Sequence, residues 1–225
     1  MIASKRKQLG VTLIELMVGL VLGLVVVGMV SSMYISTTGI LGQTTSTIRL
    51  NGELRTVNEL ISRSVKRAGY WNSDEVASNP HASIIEGGMQ IGLFSSSTAW
   101  ASQVVSNADC FVVSYDADNS GTDSPVEVFG VRASGAILQI TSTVSVAAGS
   151  TVTCASLSWE DLSDGTFLSV DNFTLSYEPA LGSIASVAEL SGKGVLYEIT
   201  AHVIDDTNIT QTVSGAVQLR NSSFW

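Results

Sequence analysis

The chain has 225 residues, of which 14% are charged, and a formal net charge of −9 at pH 7. After residue 71 only three basic residues remain against seventeen acidic ones, a balance of −14. An acidic surface repels phosphate backbones, so we expect no nucleic-acid binding. The length favours a single anchored domain over two large ones.

The first element is an apolar segment from Val11 to Val30. Its twenty residues are enough to span a bilayer as a helix. The basic residues 5–7 before it predict a cytoplasmic N-terminus, with the remainder of the chain exported. A secretory signal peptide would have a shorter apolar core and a small-residue cleavage site. A plain signal anchor would not account for Glu15, the one charge in the segment, since a carboxylate in a membrane helix is costly and functional by default.

The start of this segment, Gly10-Val-Thr-Leu-Ile-Glu15-Leu, resembles the prepilin cleavage and methylation motif of type IV pilins and type II secretion pseudopilins. The resemblance implies that a prepilin peptidase cuts between Gly10 and Val11 and that Val11 is then N-methylated. It also implies that Glu15 helps to recruit the subunit into a growing filament. Val11 stands where this motif usually has Phe.

Elementary electrostatics supports the same role for Glu15. After cleavage, the amine of Val11 lies four residues before Glu15, about 6 Å along a helix. In an assembly, the terminal amine of a neighbouring subunit can neutralise the carboxylate, and this pairing requires a defined axial stagger. The alternative is a carboxylate that reaches out to the lipid headgroups.

Residues 31–70 are predicted to continue the helix as an amphipathic segment. The residues that share its apolar face are Leu50, Leu54, Val57, Ile61, Val65 and Ala68. Their spacing of three and four residues is helical, and no proline occurs before Pro80, so we expect one helix over residues 11–68. Gly69 is a natural helix C-terminus. The phrase Arg67-Ala-Gly-Tyr-Trp71 resembles, more narrowly, the PilW-type minor pilins.

The period changes to two in the rest of the chain, which predicts β-strands. The candidate strands are residues 84–94, 111–115, 126–131, 136–141, 151–155, 167–177, 195–204 and 209–219. Clusters of Gly, Asp and Ser separate them, as in an antiparallel meander. A long helix, first transmembrane and then amphipathic, packed on such a sheet gives an α+β, pilin-like fold whose β-rich globular head covers residues 71–225.

Two cysteines, Cys110 and Cys154, lie far beyond the membrane segment. If that segment places the rest of the chain outside the cytoplasm, the environment is oxidising and favours a disulfide between them. Two buried free thiols are the alternative.

One loop of the head has the D-x-D-x-S-G-x5-E spacing of a calcium-binding loop. Its candidate ligands are Asp116, Asp118, Ser120, Asp123 and Glu127. The flanking residues predict strands in place of the helices of an EF-hand, so a polar hairpin tip is the alternative interpretation. We expect no other cofactor.

No pattern of catalytic residues is present: the two histidines are isolated, and the sequence has no nucleophile elbow, HExxH or phosphate-binding loop. The resemblance therefore implies a PilW-type minor pilin that is not an enzyme. Residues 1–10 would be its leader peptide, and the mature chain would lie in the bacterial inner membrane with a periplasmic head. Its partners would be the prepilin peptidase, other minor and major pilins and the inner-membrane assembly platform. The alternatives are a GspJ-like pseudopilin of a type II secretion system, a ligand-binding adhesin at a filament tip and a signal-anchored periplasmic enzyme.

Overall fold

The computed structural model describes most of the chain, namely residues 10–72, 79–104, 106–122, 125–147, 149–178 and 194–220. The chain divides into two compact units, one ending at Ser46 and the other beginning at Thr47. The basic residues 5–7 lie outside the described residues. The topology that they indicate therefore stays a prediction.

One α-helix, α1, extends over 55 residues, Leu13–Arg67. The predicted single helix over residues 11–68 is confirmed to within two residues at its start and one at its end. In its Thr-rich middle, hydroxyl groups bond to carbonyls one turn earlier. Thr37 Oγ1 donates to the carbonyl of Met33 at 2.8 Å, and Thr44 Oγ1 donates to that of Ile40 at 2.8 Å. These bonds satisfy the hydroxyls without replacing the bonds of the helix itself.

In the N-terminal unit, α1 has large apolar side chains on all sides. Between Leu13 and Leu41 these side chains are 48–78% exposed. Among the described residues, α1 is the one helix long and apolar enough to cross a membrane. A helix that is apolar all round is stable only when a membrane or other protein chains cover it.

In the second unit, α1 buries one face against the sheets. The buried residues of this face are Leu50, Leu54, Val57, Ile61 and Val65 in the helix and Ala68 just after it. All six were predicted from their spacing. The helix ends at Arg67, and Gly69 has a φ of +72°, the left-handed conformation expected of a glycine at a helix C-terminus.

The described strands are all antiparallel to their neighbours. They are β1 (Ile91–Phe94), β2 (Cys110–Ser114), β3 (Val126–Ser134), β4 (Ile137–Val146), β5 (Glu160–Asp161), β6 (Leu168–Tyr177), β7 (Gly194–Val203) and β8 (Asp206–Gln218). The first five form one sheet in chain order and the last three form another. Two backbone bonds between Ala108 and Leu175, of 2.8 and 3.0 Å, join the sheets. The α+β, pilin-like fold class is confirmed, although strand periodicity alone does not indicate the division into two sheets.

Strand β2 is buried on both faces. Phe111 and Val113 belong to the main core together with the buried face of α1. Cys110 and Val112 belong to a smaller core on the opposite side of the sheet. Burial on both sides explains why β2 is a continuous apolar run, Cys-Phe-Val-Val, without alternation.

Two of the predicted strands differ from the structure. Residues 151–155 are not a strand: Val152 makes one isolated bridge, and Cys154–Ser156 is a 3-10 helix. The reason is local, because Ser156 Oγ accepts from the amide of Thr153 at 3.0 Å and closes a turn there. In the predicted strand 84–94, only the last four residues form β1, since Gly87 and Gly88 have positive φ and make a turn.

Candidate functional site

The predicted cleavage site lies immediately before α1. Gly10 and Val11 are both exposed and outside the helix, which begins at Leu13. Among the residues that the structure describes, none places a side chain or a distant backbone atom within 4 Å of the position that a Cβ of Gly10 would occupy. The bond between Gly10 and Val11 is therefore accessible on this unit, as a processing site must be.

Glu15 has a local partner that the sequence reasoning missed. Thr12, the residue before α1, accepts a hydrogen bond from the amide of Glu15 at 3.4 Å, and its hydroxyl donates to Oε2 of Glu15 at 3.4 Å. The spacing Thr-x-x-Glu is that of a capping box, and a negative charge in the first turn is favoured by the helix dipole. The same carboxylate that is predicted to pair with a neighbouring subunit thus also supports the start of its own helix.

The two cysteines form a disulfide, as predicted. Cys110 on β2 and Cys154 in the segment between β4 and β5 are fully buried, with their Cα atoms 6.6 Å apart. The bond closes a loop with a sequence separation of 44 residues. On the chain-entropy model a loop of this length stabilises the fold by about 4 kcal/mol. The disulfide holds this segment against the five-stranded sheet.

The Asp-rich loop connects β2 with β3 and is fixed by the end of α1. The amide of Asp116 donates to the carbonyl of Tyr70 at 2.8 Å, and the amide of Gly69 donates to the carbonyl of Ser114 at 2.8 Å. The hydroxyl of Tyr70 donates to Oδ1 of Asn119 in the loop at 2.7 Å. The residues after α1 therefore position the acidic loop.

Three of the predicted ligands come together in this loop. Asp116, Asp118 and Glu127 each offer a carboxylate oxygen, and these oxygens lie within 4.8 Å of one another. Ser120 contributes its backbone amide, which donates to Asp116 and to Asp118 at 3.0 Å. The fifth predicted ligand, Asp123, lies outside the described residues.

The two buried carboxylates of this cluster have opposite pKa shifts. Burial alone would raise the pKa of Asp116, but the amides of Gly121, Asn72 and Ser120 outweigh it and bring this pKa below its ordinary value. Burial raises the pKa of Glu127, and the charges of the two aspartates raise it further, although its own backbone amide opposes them. The charged form of Asp116 is thus stabilised by its surroundings, whereas that of Glu127 is not.

His81 also faces this cluster, although no sequence pattern connects it with the loop. It lies in the 3-10 helix Pro80–Ala82 and is 1% exposed. Ser114 Oγ donates to the carbonyl of Glu127 at 2.8 Å and lies 2.7 Å from Nδ1 of His81. Because the hydroxyl proton of Ser114 is already used, Nδ1 must carry the hydrogen and donate it. Nε2 is left to face Oε2 of Glu127 at 3.8 Å.

Two family models match the chain. The prokaryotic N-terminal methylation motif matches residues 5–31, which include Gly10, Val11 and Glu15. The family described as prepilin peptidase-dependent protein B matches residues 43–219, more than three quarters of the chain. The chain belongs to this family. Comparison with curated proteins and with solved structures finds no match.

Membership of the prepilin peptidase-dependent protein B family accounts for the apolar N-terminal helix and the motif that precedes it. The chain is a minor-pilin-like protein of the type IV pilus and pseudopilin kind, whose maturation depends on prepilin peptidase. Its apolar N-terminal helix and its methylation motif fit a membrane-anchored pilin. Pilin-like families are structural proteins, and their context is the assembly of a filament.

Proposed function

We propose that the chain is a PilW-type minor pilin that initiates the assembly of a type IV pilus together with other minor pilins, major pilins and the inner-membrane assembly platform. Prepilin peptidase removes residues 1–10 and the new terminus at Val11 is N-methylated. Residues 11–30 hold the mature chain in the inner membrane, residues 31–70 continue the helix, and the head in residues 71–225 is periplasmic. The protein acts as a structural subunit and not as an enzyme.

The apolar surface of α1 in the N-terminal unit is the observation that carries this proposal. Its side chains have no apolar partner within the described part of that unit, so a bilayer or neighbouring helices must cover them. A simple anchor needs the apolar surface only. An assembling helix also needs a group that selects register, and Glu15 is the one charged side chain between Val11 and Gln43.

The compact packing of the head also supports a structural role. A disulfide, two sheets and the buried face of α1 belong to one compact unit. Such a unit can present a defined surface to other subunits. The family match fits a GspJ-like pseudopilin equally well, which makes this the second candidate function.

Cleavage is tested first, with Gly10→Ala in the native bacterium and Gly42→Ala as the matched control. Gly42 also lies on the exposed side of the chain, with open space where a Cβ would stand. We expect Gly10→Ala to remain at precursor mass and to lose surface pili, whereas Gly42→Ala is processed and piliated. Normal piliation by an uncleaved Gly10→Ala chain would contradict the proposal. A secretion defect with intact pili would favour the pseudopilin instead.

A further inference from the structure

We propose that a basic groove beside α1 binds the acidic strand β5 of a second copy of the chain, so that two heads form a symmetric dimer. The groove lies between the last turns of α1, strand β4 and the residues after β8, and it has a volume of about 670 Å³. Its basic lining residues are Arg63, Lys66, Arg67 and Arg220. The contact is independent of the proposed function, because it involves the head alone and requires no cleavage.

Three of these cations have no carboxylate partner among the described residues. One turn earlier in α1, Arg55 pairs with Glu59 at 3.3 Å. The cations that follow lack such a partner, since no ion pair of the described residues includes Arg63, Lys66 or Arg220. After Glu59, α1 contains no further acidic residue that could pair along the helix.

A solvated helix end is the alternative explanation for this positive charge. Positive charges near a helix C-terminus are favoured by the helix dipole, which accounts for Lys66 and Arg67 in the last turn of α1. The dipole does not account for Arg220, which comes from a different element and is one of only three basic residues after residue 71. Like charges brought into one groove from separate elements repel one another, and an anion bound among them removes that repulsion.

An acidic strand lies next to the groove. Strand β5 consists of Glu160 and Asp161, and both are exposed. Glu160 is opposite Ile140 in the register with β4, and Ile140 lines the groove, as does Leu162, the residue after β5. Strand β5 is the last strand of the five-stranded sheet, so no described strand covers its outer edge. The same surface therefore presents cations and carboxylates side by side.

A surface of this kind is complementary to itself. In a twofold dimer the groove of each chain meets β5 of the other, so every contact between a cation and a carboxylate occurs twice. The half-buried side chains of Leu60, Ile140 and Leu162 also line the groove and supply the apolar centre that an interface has within its polar rim. Two chains that each carry a net charge of −9 repel one another elsewhere, which disfavours other orientations.

The neighbouring carboxylates favour a second head over an anionic lipid as the partner. A membrane surface is wide and negatively charged, so an approach of the groove to it would bring Glu160 and Asp161 against like charge. A second head offers carboxylates to the groove, while its own cations meet β5 of the first.

The test measures the association of the full-length chain in detergent micelles by sedimentation equilibrium. We expect a monomer–dimer equilibrium that weakens when sodium chloride is raised from about 0.1 to about 0.5 M, since salt screens exposed charges. Arg63→Glu and Glu160→Arg should each weaken the dimer by roughly tenfold or more, because each places like charges opposite one another twice. The double variant should restore the wild-type affinity. Arg55→Glu, the same charge change at an exposed position of α1 outside the groove, is the matched control and should dimerise as the wild type does.

A chemical cross-link identifies the surfaces that meet. A carbodiimide joins the amine of Lys66 to a carboxylate with loss of water, and a mixture of ¹⁵N-labelled and unlabelled chains distinguishes links between chains from links within one chain. We expect peptides of mixed isotope content that join Lys66 to Glu160 or Asp161.

Four results would overturn the proposal. The first is a chain that stays monomeric at every concentration. The second is a dimer that Arg63→Glu leaves as strong as in the wild type, which would assign the association to the apolar part of α1. The third is a double variant that dimerises no better than the single ones. The fourth is a monomeric chain that retains phosphatidylglycerol through Arg63, which would assign the groove to a lipid headgroup.

Discussion

Replacing Glu15 by Gln separates the charge of this residue from its contribution to the start of α1. Gln can occupy the same position in a capping box, so the local support of the helix is largely retained. The negative charge that would pair with a neighbouring terminal amine is lost. The matched change is Thr12→Ala, which removes the hydroxyl that bonds to Glu15 but leaves the carboxylate in place.

The two changes should reduce incorporation into filaments by factors that differ by more than an order of magnitude. Removing an N-cap hydroxyl costs about 1 kcal/mol, a factor of roughly five in an equilibrium. Removing one partner of a buried ion pair costs about 3–5 kcal/mol, because the other charge stays buried and unpaired. At a factor of ten for each 1.4 kcal/mol, Glu15→Gln should reduce incorporation by roughly 100-fold or more.

Incorporation is measured as the fraction of the chain that co-purifies with sheared filaments, relative to the membrane fraction. The mass of the chain in the membrane fraction shows whether the leader has been removed. We expect Glu15→Gln to be cleaved normally and to stay in the membrane, whereas Thr12→Ala is reduced only several-fold. If Glu15→Gln entered filaments as well as the wild type and Thr12→Ala did not, Glu15 would act only as a helix cap and the pairing argument would be refuted.

Two further predictions concern the stability of the head. Cys154→Ser should lower the melting temperature by about 10 °C, since it loses the roughly 4 kcal/mol of a closed loop. A reductant should lower the melting temperature of the wild type by the same amount and leave that of the variant unchanged. A variant with the melting temperature of the oxidised wild type would contradict this prediction. Gly69→Ala should destabilise the head by about 1–3 kcal/mol in a denaturant titration, because φ is +72° and the new Cβ would overlap the side chain of Gln90. Gly52→Ala, in the interior of α1 with open space around it, should instead be neutral or stabilising, and equal losses in both variants would exclude the backbone explanation.

Predictions from the sequence were successful where one segment carries its own periodic signal. The apolar face from Leu50 to Val65 repeats with the helical period, and Gly69 marks its end, so both could be identified without the structure. The strand predicted at residues 111–115 from a period of two is β2, Cys110–Ser114, although β2 is buried on both faces and does not alternate. These features depend on the local sequence, and the positions of the apolar residues in it indicate directly which residues are buried.

The features that were missed depend on contacts between separated segments or on hydroxyl groups. His81 meets Glu127 only because the fold brings a 3-10 helix beside β3, and no spacing encodes that encounter. Ser156 bonds to Thr153 and closes a turn where alternation predicted a strand. The bond from Thr12 to Glu15 could have been found, since Thr-x-x-Glu before an apolar run is the sequence pattern of a capping box.

The end of α1 is joined to the loop between β2 and β3. Arg67 lies over the ring of Tyr115 at 4.6 Å, the amide of Gly69 donates to the carbonyl of Ser114, and the carbonyl of Tyr70 accepts from the amide of Asp116. The carboxylate of Asp116 also accepts from the amides of Asn72, Ser120 and Gly121, so it holds the residues after α1 and the loop together. Since stability is lost first where few buried contacts hold a segment, Asp116→Ala should speed amide exchange after Arg67 more than in β7. Equal speeding in both segments would mean that Asp116 stabilises the head as a whole and not this junction.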